Sequence, residues 1–469
     1  MTRESWRIPG GLPEGTRVVS LPEREGFPAL HYPVLGRRGV REVLARLARA
    51  RNEELLHRPV ESLPGLLGRV GRRFLDTADP LRREALELLP DAAGLSSEMS
   101  REVLDGMARD WTPERLAALL RREFADPQVL DRFRSADGSG SALARSPPVT
   151  LHVGSGNVPG VTVTSLLRSL LVKSAALVKP GRGDILLPLL FHRGLEEEDE
   201  HLARTLAVAY WPGGDEEMVE TEGVLFASVT QVVAYGSDVT LREIRERLSE
   251  GARLIAYPHR WSVGVVAREM LDEASAEASA RAAARSVALF EQRGCVSPQA
   301  FYVERGGGVE PRSWARRLAA ELERLTRSLP PPPLLLDEAA RIQQTRGAAA
   351  LRAAAGRGVE VHEGGALSWT VIFDPENSGE ASCLGRMARV HPIGDLRELP
   401  RLLSCHTPSL QTVALEAKGV RREQFAKELA DIGALRITTL AGMPWPPAWW
   451  HHDGMAPLGS LIRWVDLEG

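Results

Sequence analysis

Three cysteines in 469 residues, Cys295, Cys383 and Cys405, are too few and too widely spaced for a disulfide framework. No Cys-x-x-Cys or Cys/His spacing suggests structural zinc. Lysine is also scarce, occurring only at Lys173, Lys179, Lys418 and Lys427. No Lys/Arg block is long enough to follow a phosphate backbone, so nucleic acid is not an expected partner. The most apolar stretch, 161–178, is interrupted by Arg168 and Lys173, and no run reaches the length of a membrane span. The opening Met-Thr-Arg-Glu-Ser-Trp has no apolar signal region. These absences predict a cytoplasmic, reducing location in which a thiolate could persist. What remains is ordinary: 43% hydrophobic, 26% charged and a net charge of -3, enough for two or three domains with cores of their own.

Residues 1–145 read as mainly helical. Val40 to Leu56 has helical spacing, and Thr112-Pro113-Glu114 predicts a helix start with Thr112 as N-cap. Ser135 to Ser141 reads as a linker or exposed turn. From Val149 short apolar strands alternate with helices. Strands are expected at 149–153, 175–178, 206–210, 229–235 and 263–266, with helices at 166–173, 184–193, 215–221 and 240–248. This βαβ pattern predicts a doubly wound parallel sheet over 146–268, Rossmann-like, packed by the N-terminal region. A long helix over 274–292 then leads into a second α/β domain, 269–440. That domain holds a helix at 313–328, a Pro330–Pro333 spacer, and strands at 368–373 and 410–415. The segment 441–469, dense in Trp, Pro and His, is expected near the active site or an interface.

Cys295 is the first candidate for chemistry. It follows Gly294 on a turn between a helix and the strand-like Ala-Phe-Tyr-Val, a place where sulfur and backbone N–H can both face a ligand. A small buried apolar residue is the competing reading. Arg293 and a helix terminus could depress its pKa. The strand-to-helix turn Gly154-Ser-Gly156-Asn157-Val-Pro159-Gly160 can present backbone N–H groups, or be a plain turn. Lys179 and Arg182 end a strand, where open α/β sheets bind ligands; two solvated cations would look the same. Gly236-Ser237 ends another strand and could be a simple helix cap. His451, His452 and Asp453 are compatible with a metal or acid–base cluster, but nothing else completes a metal shell, so a structural role is favoured and no metal is expected.

In order and spacing, the Gly-x-Gly-Asn-x-Pro turn, the Val178-Lys179-Pro180 strand end, the Gly236-Ser237 turn and Gly294-Cys295 resemble the aldehyde dehydrogenase superfamily. The closer resemblance is to the LuxC-type acyl-CoA reductases, the fatty acid reductases of bacterial luminescence. It is carried by His152 to Pro159, Glu291-Gln-Arg-Gly-Cys-Val-Ser-Pro-Gln299, Val390 to Leu396, Leu410 to Val413, His452-Asp-Gly454 and Leu461 to Trp464. It covers about Val149 to the C-terminus. The resemblance implies an α/β, aldehyde-dehydrogenase-like fold, with a Rossmann-type cofactor domain and a second α/β catalytic domain. It implies reduction of long-chain acyl-CoA to aldehyde. Cys295 would be the nucleophile, and Asn157 with the Cys295 N–H would hold the oxyanion. Lys179 would lie over the adenosine ribose, Gly236 and Ser237 at the pyrophosphate, and Gly156 and Pro159 in the cofactor-side turn.

Two departures from the superfamily stand out. Leu254 to Trp261 lacks the glutamate with which aldehyde-oxidising relatives hydrolyse the acyl-enzyme, and the Glu-x-Phe-Gly-Pro motif is missing near Cys383 to Met387. Where NAD-preferring relatives carry a glutamate three residues after the lysine, this chain has Arg182. NADPH is therefore the expected cofactor. Two other readings are an acyl-phosphate reductase and a non-catalytic acyl-carrying subunit. Expected partners are acyl-CoA, an acyl-protein synthetase or similar acyl-transfer protein, and a second copy of the chain.

Overall fold

The computed structural model describes residues 3–23, 27–136, 140–376 and 382–468. The Asp137 to Ser139 part of the expected linker lies outside the described residues. Two compact units result: 1–258 with 447–469, and 259–446. The sequence reading instead put its boundary at 268. The difference is the strand Trp261–Val266, which runs between Pro298–Glu304 and Leu410–Glu416 in the sheet of the second unit.

In the first unit, five strands run parallel in the order Arg253–Tyr257, Gln231–Tyr235, Val149–Val153, Ala175–Lys179, Leu206–Ala209. The inner ones are near-continuous Val/Leu/Ala runs because helices cover both faces. A sixth strand, Trp6–Arg7, pairs antiparallel with Leu206–Ala209. The N-terminal region is thus not purely helical. Arg17–Leu21 and Leu30–Val34 form a hairpin, and Arg3–Glu4 pairs beside Leu30–Val34. Helices Gly36–Ala50, Leu63–Arg73, Pro80–Ala93, Ser97–Ala108 and Pro113–Glu123 follow. Thr112 occupies the N-cap position but does not cap with its side chain; its hydroxyl donates to Arg109 O instead. A small antiparallel sheet joins Arg134–Ala136, Gly140–Arg145 and the terminal strand Arg463–Leu467.

The second unit is one seven-stranded sheet: Glu360–Glu363, Thr370–Phe373, Met387–Ile393, Pro298–Glu304, Trp261–Val266, Leu410–Glu416, Arg436–Thr438. All pairs are parallel except the first. The helices Glu273–Ala288 and Pro311–Ser328 pack on it through Ala280, Ala283, Ala284, Trp314 and Leu318. Small residues on the first helix allow close approach, and the Trp314 indole donates to Ser279 at 2.9 Å. The expected helix over 274–292 stops at Ala288.

Candidate functional site

The helix Glu273–Ala288 does not fray into a glycine turn. Phe290, Glu291 and Gln292 take φ values of 58°, 52° and 62°, three left-handed non-glycine residues in succession. Each costs about 1–3 kcal/mol and persists only where surrounding bonds enforce it. Those bonds are present. The Gln292 amide donates to Pro298 O at 2.8 Å and Met387 O at 2.7 Å, and accepts from Met387 N at 2.9 Å. Glu291 makes a bidentate pair with Arg386 at 2.7 and 2.8 Å, both side chains buried. Arg386 also donates to Leu329 O at 2.7 Å. Burial pushes the Glu291 carboxyl up, against the pull of Arg386. Phe290 meets Trp445 edge-on at 5.1 Å.

This clamp delivers the chain into a turn, with Ser297 N donating to Gly294 O, that sets Cys295 half-buried at the amino end of the strand Pro298–Glu304. The Ser262 hydroxyl donates to Cys295 O at 2.7 Å and fixes the turn to the neighbouring strand. Cys383, also half-buried, has its sulfur 3.5 Å from Met387 Sδ. Arg293, the cation expected to act on Cys295, places Nη2 3.3 Å from Glu338.

In the first unit the turn after Val149–Val153 packs backbone to backbone on the turn after Ala175–Lys179. A Cβ on Gly181 would fall 2.2 Å from Gly156 N, and one on Gly183 would fall 2.3 Å from Gly156 O. Pro159 is buried beneath the loop, and Asn157 is exposed at its tip, its amide bonded to none of the described residues. The helix Val161–Leu171 begins under a buried carboxylate: Asp184 accepts from Gly160 N at 2.7 Å and Thr162 N at 2.9 Å. Burial pushes that carboxyl up to about 7, although both N–H bonds hold it down. His152, in the strand before the loop, is a satisfied core residue, with one ring nitrogen on Ser165 and the other on Ser169, both at 2.8 Å.

Lys179 ends its strand with Nζ 5.3 Å above the Trp211 ring. Burial lowers its pKa and Glu222 supports its charge. The Trp211 indole donates to Glu222 at 2.8 Å, and Arg247 closes the group at 2.7 Å. Arg182 turns toward Phe27 and Tyr210, donating through Nη2 to Pro28 O at 2.7 Å, with Nη1 buried and without a hydrogen bond among the described residues. Ser237 caps the helix Asp238–Arg247 by accepting from Thr240 N, and Gly236 precedes it. Lysine over an indole, glycine loops in direct contact and a capped helix at parallel strand ends fit a dinucleotide.

A family model described as acyl-CoA reductase (LuxC) matches residues 56–464. The chain belongs to the acyl-CoA reductase (LuxC) family. The match starts well before Val149 and takes in the helices from Leu63–Arg73 onward. Membership makes the protein an oxidoreductase acting on acyl thioesters. The chain is 24% identical to a long-chain acyl-protein thioester reductase of Aliivibrio fischeri, over 85% of this chain and 80% of that one. It is also 24% identical to one of Photorhabdus luminescens, over 94% and 88%. Its fold is that of aldehyde dehydrogenases. A putative methylmalonate-semialdehyde dehydrogenase from Sinorhizobium meliloti, complexed with NAD, gives a TM-score of 0.74 at 13% identity over 100% of this chain and 98% of that one. Lactaldehyde dehydrogenase from Escherichia coli gives 0.71 at 13% over 100% and 99%.

Three features of this LuxC-family chain escaped the sequence reading. The Gln292 and Glu291–Arg386 clamp had a signal in Glu291-Gln292, which stand beside the cysteine. The Trp211–Glu222 group had only a tryptophan after a strand. The third is a ladder of rings at two adjacent strand ends: Tyr235 on Tyr257 at 4.6 Å, Tyr257 on His452 at 4.3 Å, and His452 on Trp450 at 4.3 Å. His452 is a stacking residue there, 3.8 Å from Asp453. Among the described residues no group of three or more His, Cys, Asp or Glu is placed to hold a metal ion. None of their helices is long and apolar enough to cross a membrane.

Proposed function

We propose that this protein reduces long-chain acyl thioesters to aldehydes with NADPH, through an acyl group carried on Cys295. The observation that carries the reading is the strained turn that presents Cys295, held by the Gln292 clamp and by Ser262. The Cys295 thiolate attacks the thioester carbonyl; the donor's C–S bond breaks, and its thiolate leaves and takes a proton from solvent. NADPH, when bound, supplies the hydride. Asn157 and the Cys295 N–H stabilise the alkoxide on the acyl carbon. Its collapse breaks the bond to Cys295, releases aldehyde and regenerates the thiolate. Lys179, Gly236, Ser237, Gly156 and Pro159 hold and shape the cofactor side. Acyl-CoA and an acyl group on a partner protein share the thioester, and the relatives' names favour the protein-bound form. The exposed edge strand Arg463–Leu467, with Trp464, Val465 and Leu467 turned to solvent, supports pairing with a second copy. Acyl-CoAs of several lengths and an acylated carrier protein, each mixed with NADPH, should give cofactor oxidation matched by aldehyde. No oxidation with any of them would end this reading.

Two substitutions test the roles. Asn157→Ala should lower turnover by about 100- to 1000-fold, the usual effect of losing one oxyanion donor, with the melting temperature little changed because the exposed amide bonds none of the described residues. A large loss of stability with activity per folded molecule retained would make Asn157 a turn residue. Arg182, three residues after Lys179, is the group assigned to a 2′-phosphate. Arg182→Glu should shift the ratio of catalytic efficiencies from NADPH toward NADH; an unchanged ratio refutes the assignment.

A further inference from the structure

The strand Arg436–Thr438 lies at the edge of the second sheet, far in sequence from Cys295 and outside every motif read above. Its first residue lies beside a short run of hydrogen bonds that ends on the main-chain carbonyl of Cys295. Arg436 is the register partner of Thr412. The Thr412 N–H donates to Ser262 Oγ at 3.2 Å, and the Ser262 hydroxyl donates to Cys295 O at 2.7 Å. The guanidinium itself is pinned by two main-chain carbonyls, Met443 O at 2.9 Å and Gly442 O at 2.6 Å. A cation fixed by uncharged carbonyls keeps its field for a neighbouring anion.

We infer that Arg436 is the positioning cation of the nucleophile, holding Cys295 as a thiolate before acyl transfer and again after aldehyde release. The inference rests on the reading of Cys295 as nucleophile. Burial pushes the Arg436 pKa down to about 10, and the negative charge of Cys295 supports its protonated form, so at neutral pH the guanidinium stays charged. By reciprocity the arginine favours the thiolate by the same coupling. The other charged groups around the turn are committed elsewhere. Glu291 is bidentate with Arg386, and Arg293 is on Glu338. His406 stacks on Trp261 at 3.8 Å, and burial lowers its pKa toward the neutral ring. Arg389, buried on the strand Met387–Ile393, is a like-signed background that Arg436 variants leave in place.

The test is the pH dependence of Cys295 alkylation by iodoacetamide in the full-length protein, read on the Cys295 peptide by mass spectrometry. The wild-type midpoint should lie well below about 8.5, the value of an ordinary thiol. Arg436→Met should raise it by about 1–3 pH units, the range for loss of a nearby opposite charge. Arg436→Lys should restore most of the shift, which a purely structural role would not explain, and Arg293→Met should leave the midpoint in place. A wild-type midpoint at or above the ordinary value overturns the inference, whether or not Arg436→Met folds. So does a folded Arg436→Met with an unmoved midpoint. The alkylation needs no acyl donor. A depressed, Arg436-dependent midpoint in a protein whose Cys295 never acquires an acyl group would leave this inference standing and end the functional reading instead.

Discussion

An acyl adduct is expected on the Cys295 peptide when the protein meets a long-chain acyl thioester without NADPH, and Cys295→Ala should abolish both the adduct and turnover. The expected loss is at least about 10⁴-fold, the scale seen when a covalent nucleophile is removed. Chain strain at Phe290, Glu291 and Gln292 is maintained only to bring the next residues to a fixed place. The residue delivered is a thiol, which no bond of Gln292 or Glu291 needs for its own sake. Removing one sulfur leaves those bonds in place, so the melting temperature should change little. Cys383→Ala and Cys405→Ala should keep both adduct and turnover. Full activity in Cys295→Ala would sink the mechanism.

The fold was legible where burial writes a simple pattern. Val149–Val153, with all five residues buried, and Leu410–Glu416 read as strands because strands covered on both faces are rich in apolar residues. Trp6–Arg7 could not be read, because a two-residue antiparallel edge strand has no period to detect. The Trp261–Val266 strand was read as a strand but assigned to the wrong sheet. Hydrophobic pattern specifies that a strand is buried and not which neighbours it meets, and here the chain passes between sheets within Pro258 to Arg260. The helix expected to run to Gln292 failed at Ala288 for a different reason. Phe290, Glu291 and Gln292 are acceptable helix residues, and only tertiary bonds from Arg386, Pro298 and Met387 force them left-handed.

The site divides the same way. Cys295, Asn157 and Lys179 stood out as candidates because each stands at a strand or helix boundary marked by glycine or proline. Arg436 did not, because the hydrogen bonds beside it reach Cys295 O through Thr412 and Ser262 across three strands. Arg293 was named by adjacency alone, which says nothing of direction, and its guanidinium reaches Glu338.

Acyl thioester without NADPH should give one stoichiometric burst of released thiol and then almost no further release. Hydrolysis of an acyl-cysteine needs a base to deprotonate water, worth about 100- to 10000-fold. Leu254 to Trp261 carries no carboxylate. The carboxylate nearest to Cys295 in sequence is Glu291, and it is not available either. Both its oxygens are taken by the Arg386 guanidinium at 2.7 and 2.8 Å, in a buried pair that costs about 3–5 kcal/mol to break. His259, exposed between the strands Arg253–Tyr257 and Trp261–Val266, is the remaining group in that stretch that could accept a proton. The acyl-enzyme should therefore wait for hydride or return to the donor thiol, and aldehyde should form in proportion to NADPH consumed once cofactor is added. The measurement is released thiol and free fatty acid over time, with and without NADPH. Sustained fatty acid release without NADPH would reveal a base. If His259→Ala stopped that release, the base would be His259; if Arg386→Met accelerated it, the base would be a Glu291 freed from its pair.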